Sequence, residues 1–316
     1  MPIDPTSGPR PRTHGRPPTR PEVTLQQAKT EAVRMLRERQ LSPRADQVVD
    51  MLAIAGVLTG SQIKQVTELR LRTLQKYHSR HILDRVSLDI EKIIDLHIAD
   101  NTTPPEDLRA YSLGIIGLEY ARLRLGKDLL PSNYASLEVG GGGTRVIHDI
   151  TVAEIMLHLT GYAKAQKFSP YWRSKYEATV HDEHGSPAIE PDAMLSLSKD
   201  GKYWHYFVEF HNEDHGTRTG RKVERYEAVR VAGRWQNELE IDTFPIVLIV
   251  FQHRAVIDGY KTTLTDGNGQ PRPDIRNQYL GLGLQAILDN KLERWGDIRR
   301  GKPANFLPEV KGGESE

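Results

Sequence analysis

The chain has 316 residues, 38% of them hydrophobic and 27% charged, enough to bury a substantial core in one large or two modest domains. Its 43 basic and 42 acidic residues leave a net charge of +1, so any nucleic-acid role must rest on local placement of basic groups. Cysteine is absent, which excludes disulfides, thiol catalysis and cysteine-ligated zinc and leaves any metal to oxygen or imidazole ligands.

No apolar run approaches bilayer length, and the opening MPIDPTSGPRPRTHGRPPTRP lacks the apolar middle of a secretory signal; the expectation is a cytoplasmic protein with no membrane partner. Within that opening, Arg10, Arg12, Arg16 and Arg20 lie among prolines, so residues 1–23 read as a disordered basic tail.

From Thr24, a plausible cap, Leu25, Ala28, Ala32 and Met35 recur at helical spacing. After the Ser42-Pro43 break, Ala45, Val48, Val49, Leu52 and Ala53 form a second apolar stripe that stops at Gly56. Thr59 can cap a short helix carrying Ile63 and Val66, and Thr67 another carrying Leu71 and Leu74. In that last helix Leu71, Leu74 and Tyr77 face inward, leaving Arg70, Arg72, Thr73, Gln75 and Lys76 outside, with Arg80 just beyond. Arginine and glutamine are the side chains that contact base edges, and lysine meets phosphate, so this helix is the candidate DNA reader.

HILDRV closes the helix, KIIDLHI reads as a strand, NTTPPED as a loop, and RAYSLGIIGLEYARLRL as a strand running into a helix. Three helices followed by strand, loop and strand is the order of a winged helix-turn-helix, expected over residues 24–139, with the acidic loop as its wing. Gly140 to Gly143 cannot hold regular structure cheaply, so residues 140–144 read as a linker.

The second domain, expected over 145–308, opens with a helix carrying Val152, Ile155, Met156, Leu159 and Ala163. Thr151 and Glu154 have the spacing of a capping box for it, with His148 just before its start. RSKYEATV, AMLSL, YWHYFVEF and FPIVLIVF have strand character, HDEHGSP is turn-like, and GRKVERYEAVRVA is an amphipathic helix before the last strand. IRNQYLGLGLQAILDNKLERW reads as a closing helical segment, and residues 309–316 as a disordered tail. The expected fold class is α+β, a winged helix-turn-helix followed by an α/β core with a mixed sheet.

Asp192 stands at the entrance of one strand and Glu209 near the end of the next, followed by Phe210 and His211. Two carboxylates converging at one end of neighbouring strands can hold a hard divalent ion, magnesium or manganese, with the Phe210 carbonyl between them. Glu209 carries the stronger signal, because an acid inside an apolar strand is costly unless paired or metal-bound. Glu213, Asp214 and His215 read as a solvated turn, and Lys222 and Tyr226 share a helix face.

The order of helix, strand, strand with Asp192, strand with Glu209, helix and strand resembles the PD-(D/E)XK nuclease core. That resemblance implies metal binding by Asp192 and Glu209, with a lysine two residues after the glutamate polarising the attacking water. His211 stands at that lysine's place, and Lys222 on the following helix is a displaced substitute. Taken whole, VLTGSQI, YSLGIIGLEY, HDITVAE, YWRSKYE, PDAMLSL and FVEFHNEDHGT, spread over residues 45–250, resemble the replication-relaxation family of plasmid and integrative-element proteins. That family usually has Glu-x-Asp where this chain has Glu209-Phe210-His211, so the second acid's role does not pass to His211.

Membership implies double-stranded DNA as partner, work in replication, relaxation or mobilisation beside relaxase or replication proteins, and room for a homodimer. Two readings of the second domain stay open: a metal-dependent endodeoxyribonuclease using Asp192, Glu209, His211 and Lys222, or a non-catalytic scaffold. A transcriptional regulator acting through the winged helix is a third.

Overall fold

The computed structural model describes residues 22–86, 88, 90–96, 98, 108–129, 143–213 and 218–309. The expected basic tail, most of the acidic loop, the run Gly140 to Gly142, the turn residues Asp214 to Gly216 and the C-terminal tail from residue 310 lie outside the described residues.

The N-terminal elements follow their caps. Helix α1 (Leu25–Arg37) starts in a capping box between Thr24 and Gln27 and buries Ala28, Ala32 and Met35, while Leu25 stays half exposed. Helix α2 (Pro43–Ala55) has Ser42 as N-cap and proline in its first turn, and Gly56 ends it at a φ of 76°. Strand β1 (Val57–Thr59) leads into α3 (Gly60–Thr67), whose capping box joins Thr59 and Gln62. Then come α4 (Leu71–Ser79), β2 (Leu83–Val86), α5 (Ile90–Asp95), β3 (Ala110–Leu113) and α6 (Ile115–Leu125). The strands form an antiparallel sheet in the order β1-β3-β2.

Three local expectations are corrected here. Thr67 does not cap α4; it ends α3, and its hydroxyl donates to the Ile63 carbonyl at 2.7 Å. KIIDLHI is not a strand, because Ile93 and Leu96 bury at helical spacing in and just after α5. HILDRV does more than close α4: its last four residues are β2. Gly117 is required by a close approach, since a Cβ there would stand 2.0 Å from the Ile82 carbonyl oxygen.

Helix α7 (Gly143–Ala165) runs 23 residues and starts before His148, so Thr151 and Glu154 lie inside it and do not cap it. The Thr151 hydroxyl donates to Ile147 O at 2.8 Å, and Glu154 accepts from Gln62 Nε2 of α3 at 2.8 Å. One continuous apolar core joins α1, α2 and α6 through α7 to one face of the large sheet.

That sheet holds β4 (Ser169–Ser174), β7 (Ala193–Lys199), β8 (Lys202–His211), β9 (Ile246–Phe251), β10 (Tyr279–Gly283), β11 (Gly296–Asp297) and β12 (Lys302–Pro303). Its order is β12-β11-β10-β9-β8-β7-β4, parallel only across β8-β9-β10. RSKYEATV is not one strand: a Ser174–Glu177 capping box turns the chain through α8 (Lys175–Ala178) into the small hairpin of β5 (Val180–His181) and β6 (Pro187–Ile189). Nor is the closing segment helical throughout. Tyr279 faces one core and Leu280 and Leu282 the other, so these residues form β10, and only α12 (Leu284–Leu288) is helix.

The opposite face of the sheet is covered by α9 (Thr219–Ala232), α10 (Trp235–Leu239) and α11 (Arg254–Leu264), with Phe207, Val247, Ile249 and Tyr279 pointing into that layer. Tyr206, Val208 and Phe210 point to the α7 side, so β8 is buried on both faces with period two. The protein is α+β with a large mixed sheet, as the sequence pattern implies.

Candidate functional site

The C-terminal end of β8 is where the polar residues collect. β7 begins beside it in antiparallel register, and Asp192, one residue before β7, bonds across: its N–H donates to Val208 O at 3.0 Å, and its Oδ2 accepts from Phe210 N–H at 2.8 Å. The sequence-predicted neighbours Asp192 and Glu209 are therefore brought to the same strand end.

They are held by different partners. His148, in the second turn of α7, places Nε2 3.5 Å from Asp192 Oδ2 and donates weakly to Phe210 O at 3.4 Å. The Phe210 carbonyl offered by the sequence as a metal ligand is thus turned to an imidazole. Burial works against a charge on His148, but Asp192 and Asp149 outweigh it and push its pKa up to about 10. Burial would raise the Asp192 carboxyl, yet His148, Lys222 and the Phe210 N–H hold it well below the usual range.

Glu209 is fully buried and faces α9, where Lys222 and Tyr226, one turn apart, both reach it. The Tyr226 hydroxyl donates to Oε1 at 2.5 Å, and the Lys222 ammonium bonds Oε2. Burial raises the Glu209 pKa, Lys222 opposes that and Asp192 adds to it. Burial also works against the charge on Lys222, but Glu209 and then Asp192 keep its pKa above the ordinary value.

His211 is buried with both ring nitrogens engaged, Nδ1 at 3.2 Å from Glu213 Oε1 and Nε2 at 3.0 Å from the Tyr260 hydroxyl. The hydrogen bond from His211 pulls the Glu213 carboxyl down to about 2, against its partial burial. Glu213 is therefore a partner of the site rather than part of a solvated turn. His211 is positioned as a bridge between strand and helix rather than toward an open water position.

Above the buried Glu209 opens a cleft of about 470 Å³ lined by His148, Asp192, His211, Glu213, Lys222 and the arginines at 218, 221 and 225. A larger cavity of about 570 Å³ lies at the other end of β8, lined by Tyr171, Tyr203, Arg173 and His205. Size favours the second, but paired buried acids and bases are confined to the first, and chemistry outweighs volume as a site marker.

The donor set does not fit a divalent ion as arranged. Both Glu209 oxygens are taken by Lys222 and Tyr226, and Oδ2 of Asp192 is taken by His148 and a backbone N–H. Among the described residues no group of three or more acidic or imidazole side chains could hold a metal.

The other predicted set is on α4. Arg70, Arg72, Gln75 and Lys76 are exposed, Thr73 is half-buried, and Leu74 and Tyr77 are buried beneath them. Arg80 differs: its guanidinium donates to Gln40 Oε1 at 2.8 Å and lies 3.5 Å from Glu31, so it ties α4 to the α1 end.

His148, Tyr226 and the three cleft arginines were not among the expected site residues. The spacing of Arg218, Arg221 and Arg225 at i, i+3 and i+7 was the available signal for the arginines. For His148 there was none, because its partner lies 44 residues away.

The replication-relaxation family model matches residues 49–243, most of the chain and all of the elements from α3 to α9. The chain belongs to the replication-relaxation family. That membership points to a role in the replication or relaxation of a plasmid or other mobile element, with DNA and the replication machinery as its setting. No curated protein matches the chain. Among the described residues no helix is long and apolar enough to cross a membrane.

Proposed function

We propose that this member of the replication-relaxation family is a DNA-binding accessory protein that holds duplex DNA through α4. The observation that carries the reading is the outer face of that helix. Arg70, Arg72 and Lys76 make no ion pair among the described residues, and Gln75 stands exposed between them over a buried Leu74 and Tyr77. Cations left unpaired on a helix presented by two other helices and a small antiparallel sheet suit a winged helix-turn-helix laid in the major groove. Relaxase or replication proteins of the same element are the partners this role calls for, and a homodimer would supply two half-sites.

The second unit is read as a restriction-endonuclease-like core whose acids are occupied by Lys222, Tyr226 and His148, which favours a scaffold over a metal-dependent nuclease. The test is supercoiled plasmid incubated with protein in magnesium or manganese, beside an Asp192→Ala/Glu209→Ala variant. A shift of intact plasmid by both proteins supports the scaffold reading. Nicking lost only in the variant would overturn it in favour of the nuclease. Tight binding to a single operator, independent of metal, would favour a transcriptional regulator.

A further inference from the structure

The cleft at the end of β8 has a charge balance that the acid pair alone does not suggest. In its floor each acid has a basic or imidazole partner: His148 faces Asp192, Lys222 faces Glu209 and His211 faces Glu213. Its wall differs. Arg218, Arg221 and Arg225 are exposed along one face at the start of α9, and none of their guanidinium groups makes an ion pair or hydrogen bond among the described residues. Arg230, further along the same helix, is paired with Glu227 at 2.8 Å, so the lack of partners belongs to the cleft and not to the helix.

Three guanidinium groups so placed are able to fork onto phosphate oxygens. At about 470 Å³ the cleft is wide enough for a phosphodiester with its sugar.

We propose that this cleft is a second DNA-binding site, separate from α4, in which Arg218, Arg221 and Arg225 grip backbone phosphates while the Lys222 ammonium replaces a divalent ion as counter-charge to Glu209. The proposal rests on the DNA-binding reading above and extends it: the protein holds DNA at two places, and the second needs no metal. No bond is made or broken in the cleft.

The experiment uses the full chain and a labelled duplex, with binding followed by fluorescence anisotropy over a salt series in EDTA. The proteins compared are the wild type, Arg221→Ala/Arg225→Ala, Arg221→Lys/Arg225→Lys and Arg70→Ala/Arg72→Ala. The cleft alanine pair is expected to lose about tenfold in affinity and to flatten the salt slope by about 2, the loss of two phosphate contacts. The lysine pair keeps the charge and recovers most of the binding, with matched melting temperatures excluding a folding defect.

Unchanged affinity and slope in the cleft alanine pair, beside a loss in the α4 pair, would overturn the second site and leave the α4 reading intact. No DNA binding by the wild type would sink both. Binding that disappears in EDTA, or stoichiometric uptake of manganese by the wild-type protein without DNA, would overturn the assignment of Lys222.

Discussion

Helix α4 and the floor of the cleft both concentrate charge, and they treat it in opposite ways. On α4 Arg70, Arg72 and Lys76 make no ion pair among the described residues, whereas Arg80, at the end of the helix, is tied down. In the cleft floor His148, Asp192, Glu209 and Lys222 are drawn into pairs, with Glu209 wholly removed from water. A charge left in water contributes little to stability and stays available to a ligand, whereas a buried charge must be matched inside the fold. The first region is therefore open to binding directly, and the second is first of all a device that orders the strand end.

The contrast can be broken most strongly at Lys222. Lys222→Met leaves Glu209 buried with only Tyr226 on it, and removing one member of such a pair is expected to cost about 3–5 kcal/mol at neutral pH, read from denaturant melts. The loss should shrink under acid, where Glu209 takes up a proton. An equal loss at all pH values would mean that the pair is not what holds α9 to β8.

Gly117→Ala tests the seat of α4 rather than its surface. A Cβ 2.0 Å from the Ile82 carbonyl forces β2 and α6 apart just beyond the end of α4, at a cost of about 3 kcal/mol. Wild-type stability in that variant would mean that α6 and β2 shift apart without penalty.

His148 gives a pH signature. Its folded pKa is raised from 6.5 to about 10, so the stability it contributes is fully present below 6.5 and is lost as pH rises toward about 10. Asp192, held low, contributes above the ordinary carboxylate range and loses its part as pH falls. The stability difference between wild type and His148→Gln should therefore be largest near pH 6 and shrink by about 2 kcal/mol toward pH 10, allowing for the pair's partial exposure. A difference that does not change over that range would show that His148 is not charged in the fold.

At the small end, Arg70→Ala/Arg72→Ala should change stability by less than about 0.5 kcal/mol, since the two side chains have no ion pair among the described residues to lose. The same variant should bind DNA more weakly and with a flatter salt dependence. Binding unchanged by it would remove α4 from the DNA interface.

Much of the framework was legible from local pattern. The caps at Thr24 and Thr59, the stripe from Ala45 to Ala53 and the alternation in YWHYFVEF fix their elements through neighbours a few residues away. The errors fell where such neighbours mislead. Thr151 and Glu154 have capping-box spacing but sit inside α7, because the helix begins at Gly143 and Glu154 turns instead to Gln62 of α3. YLGLG joins the sheet with Gly281 admitting Ile257 and Ile298 to close contact, a packing fact carried by other elements.

The candidate site divides in the same way. That Asp192 and Glu209 meet follows from two consecutive strands in a hairpin, and that Lys222 and Tyr226 share a face follows from helical period. What those groups do once together depended on chain far away. His148 arrives from α7 to hold Asp192, and Tyr260 arrives from α11 to hold His211.

The sequence by itself determined an α+β chain without cysteine chemistry, its family, and an exposed cationic helix. Each rests on composition, motif order or spacing within a few residues. Only the tertiary structure decided that the acids are capped by Lys222, Tyr226 and His148 and that three arginines stand beside them without an ion pair among the described residues. Whether a charge is matched or left free depends on what the rest of the fold brings within about 4 Å of it, where Coulomb attraction can offset the cost of burial.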